Sequence, residues 1–208
     1  MYSIRMYSNS LLKLVKKGDK HILKIKKYME NEYFLKTFLS PLLIKKTEGG
    51  KEHIEISLTT TNIVSLEDLA KQNKMNLYSL ELLFSCLKNQ LELLDGYTIL
   101  NFSLKHIYYF QTKLINQFVY LNVDDVFRVS KDKIIIDRPF QKTKHTAPEL
   151  KNLEKIPNNK HLKSASYWSL ASVIKEIIGK KNIEYTKLYW ALQRCFVKYP
   201  EHRFLLLI

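Results

Sequence analysis

The sequence predicts an α+β fold in two parts, a small strand-rich part followed by a larger, mainly helical one. Over residues 10–58, apolar and basic residues alternate on both sides of glycine-bearing turns, the period-two pattern of antiparallel hairpins. From Ser65 onward the apolar spacing changes to three and four residues, and capping side chains mark where helices start. A length of 208 residues, 46% hydrophobic with only 5 Gly and 5 Pro, gives a chain able to bury a core and argues against disorder. The change of pattern divides the chain into segments 1–62 and 63–208.

Residues 10–27, SLLKLVKKGDKHILKIKK, read as a first hairpin turning at Gly18-Asp19. A helix is expected over 28–39, where Met29, Tyr33, Phe34 and Phe38 keep helical spacing and Pro41 stops the run. Residues 42–58 form a second hairpin turning at Gly49-Gly50, so the order is β-β-α-β-β. Helices follow at 65–72, opened by Ser65 with Asp68 three residues on, and at 77–96, closed by Gly96. Residues 103–118, SLKHIYYFQTKLINQF, read as one unbroken helix with Leu104, Ile107, Tyr108, Leu114, Ile115 and Phe118 along a broad face. A tight hairpin over 125–137 and two helices over 165–179 and 183–199 complete the chain.

No apolar run is long enough to span a bilayer, and residues 1–20 lack the charged-apolar-small order of a secretory signal. Cys86 and Cys195 sit far apart in apolar runs and read as reduced core thiols, which points to an intracellular protein, cytoplasmic or nuclear. The six histidines are scattered and no Cys-x-x-Cys occurs, so no metal site is expected. The net charge of +14 suits an acidic partner, nucleic acid included. Only 5 of the 34 basic residues are Arg, however, and Arg is the side chain suited to bidentate contacts with phosphate or guanine. The lysines are dispersed along the chain, so nucleic acid stands behind protein as the expected partner.

Three C-terminal segments carry a resemblance to a known family. ASYWSLASVI, residues 165–174, contains Trp168-Ser169-Leu170; APE is Ala147-Pro148-Glu149; RCFVKYPEHR, residues 194–203, ends in Arg203. In this order and spacing they resemble the large lobe of protein kinases, with Ser166 in place of an Asp, Ala171 in place of a Gly and Tyr199 in place of another Asp. The resemblance covers residues 104–205 and implies a two-lobed kinase-like fold, with a small β-rich lobe bearing one helix and a larger, mainly helical lobe. It implies Trp168 as a structural core residue and a buried ion pair between Glu149 and Arg203. In the small lobe, HILKIKK (residues 21–27) resembles the strand of the nucleotide lysine, which falls on Lys24, with Glu30 or Glu32 of the following helix as its partner.

The same resemblance implies that the catalytic parts are degenerate. Residues 1–17 contain no Gly, so the glycine-rich loop whose amides cradle phosphates is absent. Two stretches compete for the catalytic loop. In one, FVYLNVDDVF, Tyr120 takes the position of the catalytic Asp and Asp125 that of the metal-binding Asn. In the other, ILNFSLKHIYYF, Ser103 takes the Asp position and Lys105 that of the Lys. The Tyr120 register is favoured because the other leaves too many residues before the 125–137 hairpin and because residues 103–118 look like one helix. Neither residue can serve as a carboxylate base at neutral pH. Asp137 matches the first residue of Asp-Phe-Gly but is followed by Arg138-Pro139, and only nine residues separate it from Ala147.

The expected function is therefore that of a pseudokinase: no catalytic residue, weak or no binding of ATP and Mg²⁺, and a role as a scaffold or allosteric regulator within a larger assembly. Its expected partners are other proteins, a true kinase among them. The alternatives are a basic subunit associated with nucleic acid or ribonucleoprotein, a pathogen-type inhibitor of a host kinase, and an atypical ATP-dependent phosphotransferase using Lys24, Asp125 and Asp137.

Overall fold

The structure is a computed structural model that describes residues 3–8, 12–26, 37–151 and 161–208. Most of the expected helix over 28–39, including Glu30 and Glu32, lies outside the described residues.

The two N-terminal hairpins form as the alternation requires. Strands β1 (Ser3–Ser8), β2 (Leu12–Lys17), β3 (Lys20–Lys26), β4 (Ile44–Gly49) and β5 (His53–Leu58) make one antiparallel sheet in the order β1-β2-β3-β5-β4. The β2–β3 turn has Gly18 at a φ of 59°, which a residue without Cβ adopts freely. Period-two alternation puts His21, Leu23 and Ile25 of β3 and Ile54, Ile56 and Leu58 of β5 on the buried face, while Ile22, Lys24 and Glu55 lie on the other. β1 adds a strand that the alternation over 10–58 does not include.

The remainder is less helical than the sequence suggests. Helices α1 (Leu66–Lys71), α2 (Leu77–Leu93), α3 (Pro148–Lys151), α4 (Ala165–Ile178) and α5 (Lys187–Cys195) share it with six strands. β6 (Asn62–Ser65), β8 (Ile107–Gln111) and β9 (Asn116–Tyr120) form one three-stranded sheet in the order β6-β8-β9. β7 (Tyr97–Ile99), β10 (Val126–Ser130) and β11 (Lys133–Ile135) form another in the order β11-β10-β7. The fold is thus mixed α+β, with three antiparallel sheets.

Ser65 caps α1 by accepting the Asp68 amide at 3.1 Å, as its spacing implies. α2 stops at Leu93, with Gly96 at a φ of 68° in the turn beyond it. The β10–β11 hairpin turns through Lys131 and Asp132, both at positive φ, as a tight two-residue turn demands.

The expected helix over 103–118 is a correction. Those residues form a 3-10 turn over Leu104–His106 and then the β8–β9 hairpin. Aromatic and β-branched side chains at Ile107, Tyr108, Tyr109 and Phe110 favour the extended backbone. The hairpin closes through Thr112, whose hydroxyl accepts the amides of Leu114 and Ile115 at 3.0 and 2.8 Å.

One apolar cluster runs through the molecule from Leu12 to Cys195. α2 supplies Leu80, Leu83, Phe84, Leu87 and Leu91 to it, packing against β9, α4 and α5. Gln90 locks that contact: its amide nitrogen donates to the Phe118 carbonyl at 2.7 Å and its oxygen accepts the Tyr120 amide at 3.0 Å. A smaller cluster of Leu100, Phe127, Ile134, Ile136, Ala147, Leu150 and Ala165 lies under residues 136–150.

Candidate functional site

The polar residues of the second part converge where the loop after β7 meets the segment between β11 and α3. α4 positions the first of these. Ser166 Oγ lies 2.8 Å from Thr98 Oγ1, and Ser169 Oγ accepts the Phe102 amide at 2.8 Å. Both serines are buried in α4, so residues 98–102 are held to the helix by side chains with no exposure to water. The Leu121 amide donates to the His106 carbonyl at 2.8 Å, which brings the two rival catalytic-loop stretches side by side.

Tyr120 and Asp125 face each other in the interior. The Tyr120 hydroxyl lies 2.5 Å from Asp125 Oδ2 and 3.0 Å from the Asn101 carbonyl, while the Asn122 amide nitrogen donates to the same Oδ2 at 2.6 Å. Burial pushes the Asp125 carboxyl above the usual range, against the pull of the Tyr120 and Asn122 donors and with the neighbouring Asp124 charge adding to the rise. The Tyr120 ring is packed edge-on to Phe102 at 5.0 Å. With the 103–118 helix gone, one of the two grounds for preferring the Tyr120 register goes with it. Ser103 sits at the mouth of the 3-10 turn, half-buried, beside Asn101 and Phe102.

Asn101 is the centre of the network. Its amide nitrogen donates to the Gln141 carbonyl at 2.8 Å, and its oxygen accepts the hydroxyls of Thr143 and Thr146 at 3.0 and 3.2 Å. The loop is further knotted by the Thr143 amide donating to Thr146 Oγ1 at 2.8 Å. The buried His145 then ties the loop to α4, with Nδ1 3.1 Å from Ser172 Oγ and Nε2 3.0 Å from Glu176 Oε2. Lys144 shares Glu176 at 2.7 Å.

Ser172, His145 and Glu176 have the connectivity of a nucleophile relay, but the setting does not suit acyl transfer. Ser172 lies inside the 14-residue α4, where successive amides are committed to the helix ladder and cannot cradle an oxyanion. The three side chains act as a latch between loop and helix.

Glu149 and Arg203 are brought together. Arg203 Nη1 and Nη2 donate to Glu149 Oε1 and Oε2 in a two-point fork, the second contact at 3.1 Å. The Arg203 side chain is fully buried; its Nε donates to the Val197 carbonyl at 2.7 Å, Nη2 also donates to the Lys198 carbonyl at 3.2 Å, and its guanidinium lies 5.0 Å over the Trp168 ring. Trp168 is pinned on another side by Phe196, ring to ring at 5.0 Å.

The remaining kinase-like positions are not brought together. Asp137 is exposed beyond β11 and pairs with Arg138 at 3.3 Å. Arg138 also donates to the Val126 carbonyl and covers the Phe127 ring at 4.4 Å. Lys24 lies on the outer face of the N-terminal sheet, and its ammonium meets Glu55 of the neighbouring strand. That cross-strand carboxylate is its partner among the described residues. Glu32 lies outside the described residues.

Asn101, Thr143, Thr146, His145 and Ser172 are positions of this network that motif matching misses. The available signal is Asn101 itself, an amide within the apolar run TILNFSL, where a polar side chain is retained only with partners. Among the described residues no cluster of three His, Cys, Asp or Glu side chains has metal-holding geometry, and no helix is long and apolar enough to cross a membrane. Neither the protein-family models nor the curated proteins compared with the chain match it.

Proposed function

We propose that this chain is a kinase-like fold without phosphotransferase activity, a pseudokinase that works by binding other proteins as a scaffold or regulator. One observation carries the reading: the side chains at the kinase-like positions are used for internal contacts. Asp125 is occupied by Tyr120 and Asn122, Asp137 is paired with Arg138, and Lys24 is paired with Glu55. The segment from Asp137 to Ala147 is closed onto Asn101 and α4, which leaves little open loop to hold a peptide substrate. On this reading segments 1–62 and 63–208 correspond to the two lobes, and Glu149–Arg203 with Trp168 is the structural anchor of the larger one. Two free cysteines, one buried and one half-buried, fit an intracellular compartment.

The chemistry agrees. A phosphoryl transfer enzyme needs a carboxylate to orient the attacking hydroxyl and ligands for the metal that neutralises phosphate charge. A buried carboxyl whose Oδ2 already accepts from Tyr120 and Asn122 has little access to an attacking hydroxyl or a metal. The test is a pair of assays on the full chain: thermal shift with ATP and Mg²⁺, and transfer of labelled phosphate to generic acceptors and to itself. We expect no melting shift and no transfer. Transfer that is lost on Asp125→Asn or Asp137→Asn would replace this reading with the atypical phosphotransferase.

A further inference from the structure

α5 exposes a tryptophan where an amphipathic helix calls for a polar residue. Its buried stripe is Leu188, Ala191, Leu192 and Cys195. The opposite stripe, at spacings of three and four, is Lys187, Trp190 and Arg194, and Trp190 is 53% exposed. Arg194 lies 5.1 Å over the ring of Phe204, itself 43% exposed, and Trp190 stands one turn before Arg194 on the same helix. A scattered exposed aromatic needs no explanation; two bracketing a guanidinium do.

Arg194 sets the chemistry of what binds there. Arg138 and Arg203 direct their donors to carbonyls and carboxylates inside the protein. Among the described residues Arg194 has its ring contact with Phe204 and no carboxylate within ion-pair distance. Arg194 is exposed, four residues after the exposed Trp190 on the same helix. Lys187 adds positive charge one turn before Trp190, and Lys198 adds more, with its ammonium 5.7 Å over the Tyr199 ring. The acids of this stretch, Glu184 and Glu201, stand at its two ends. Tryptophan and arginine are the side chains that most often anchor protein interfaces, and arginine takes carboxylates in a bidentate fork.

We infer that the Trp190–Arg194–Phe204 surface docks an acidic peptide segment of a partner protein, with an apolar side chain seated on Trp190 and a carboxylate in the fork of Arg194. The inference rests on the reading of this chain as a protein-binding module and names its docking surface. Nucleic acid is the competing occupant of a basic aromatic surface, and the test separates the two.

The experiment pans a random-peptide library on the wild-type chain, with Trp190→Ala/Arg194→Glu as counter-selection, and then measures binding of labelled synthetic copies of the enriched peptides. Enriched sequences should pair Asp or Glu with Leu, Phe or Trp. Their affinity should fall with added salt and drop about tenfold or more in either single variant, as loss of an interface anchor does. Arg194→Lys should restore part of it, since charge returns without the fork. Melting curves should match wild type because both side chains are exposed; if Trp190→Ala does not fold, Arg194→Glu alone decides. The inference is overturned by enrichment of neutral or basic peptides, by no enrichment, or by equal binding to the variants. Binding of single-stranded DNA that the same variants abolish, with no peptide competing for it, overturns it in favour of nucleic acid. Phosphate transfer in the separate assay would remove the non-catalytic reading and leave this peptide result standing.

Discussion

Arg203 shows how one side chain can fix a distant loop. Its guanidinium donates to Glu149, to the Val197 carbonyl and to the Lys198 carbonyl, and Trp168 covers its face. The two partners are not equally dry: the Glu149 side chain keeps 20% of its exposure and that of Arg203 none. Glu149→Ala therefore strands a buried cation with only carbonyls to solvate it, whereas Arg203→Ala leaves a carboxylate that water can reach but opens a void beside Trp168. Breaking a buried pair costs about 3–5 kcal/mol, and each variant should lie near the lower end of that range. Urea unfolding of the single variants and the double variant measures it. A wild-type midpoint for both singles would deny the pair its structural role.

His106 sets a second expectation at the same scale. Burial, with the Lys105 charge beside it, pulls its pKa from 6.5 down to about 4. Between those values the unfolded chain takes up a proton that the folded chain refuses, so this residue's contribution to stability falls as pH drops through 6.5 and levels off below 4. Burial shifts His21, His145 and His161 in the same direction, while the raised carboxyl of Asp125 works in the opposite one. His106→Gln should therefore flatten the loss of melting temperature on going from neutral to mildly acidic buffer without abolishing it. An unchanged slope would mean that His106 is protonated in the folded protein at those pH values.

At the scale of elements, Asn101 holds the segment between β11 and α3 to the loop after β7. Asn101→Ala removes one donor and one acceptor that serve Gln141, Thr143 and Thr146. Leaving the buried Thr146 hydroxyl without its acceptor costs about 1–3 kcal/mol, and the exposed Lys142 and Lys144 should become faster sites for trypsin. Cleavage at wild-type rates at both lysines would show that the loop stays closed without Asn101. None of this network is visible as a motif, because its members are short polar side chains spread over residues 101–176. Glu149–Arg203 is legible in advance, because two short segments each resemble a pattern that implies the pair. The N-terminal hairpins are legible because Gly18 and Gly49-Gly50 mark turns and β2, β3 and β5 each bury one face, although β4 buries none of its residues. The β8–β9 hairpin is not. Ile107, Tyr108 and Phe110 of β8 are all buried, which erases the period-two signal, and its turn is made by the Thr112 hydroxyl without a glycine. The same apolar residues then fit a helical face by coincidence of spacing.

At the scale of the molecule, the change of sequence character near residue 62 does not mark a break in the core. Leu12, Leu23 and Ile56 of the N-terminal sheet belong to the same buried cluster as Phe84, Ile174 and Leu188. Polar contacts cross the boundary as well. The Gln117 amide donates to the Phe38 carbonyl at 2.9 Å and accepts from the Ser40 amide at 3.0 Å, and the Tyr108 hydroxyl donates to the Met6 carbonyl at 3.0 Å. In the connection itself, the buried His21 lies 3.1 Å from Thr60 Oγ1. A sheet that buries one face on the rest of the chain loses that face when separated, and its exposed apolar surface then favours aggregation over folding. The full chain should therefore unfold in one step. Fluorescence of Trp168 and Trp190 reports on the C-terminal part, and far-UV circular dichroism of the same chain reports on the whole of it, the N-terminal sheet included. The two reporters should give the same urea midpoint, and a Glu149→Ala substitution should move both by the same amount. Separate midpoints, with the fluorescence midpoint moved more by Glu149→Ala than that of circular dichroism, would mean that segments 1–62 and 63–208 fold as independent units despite their shared core.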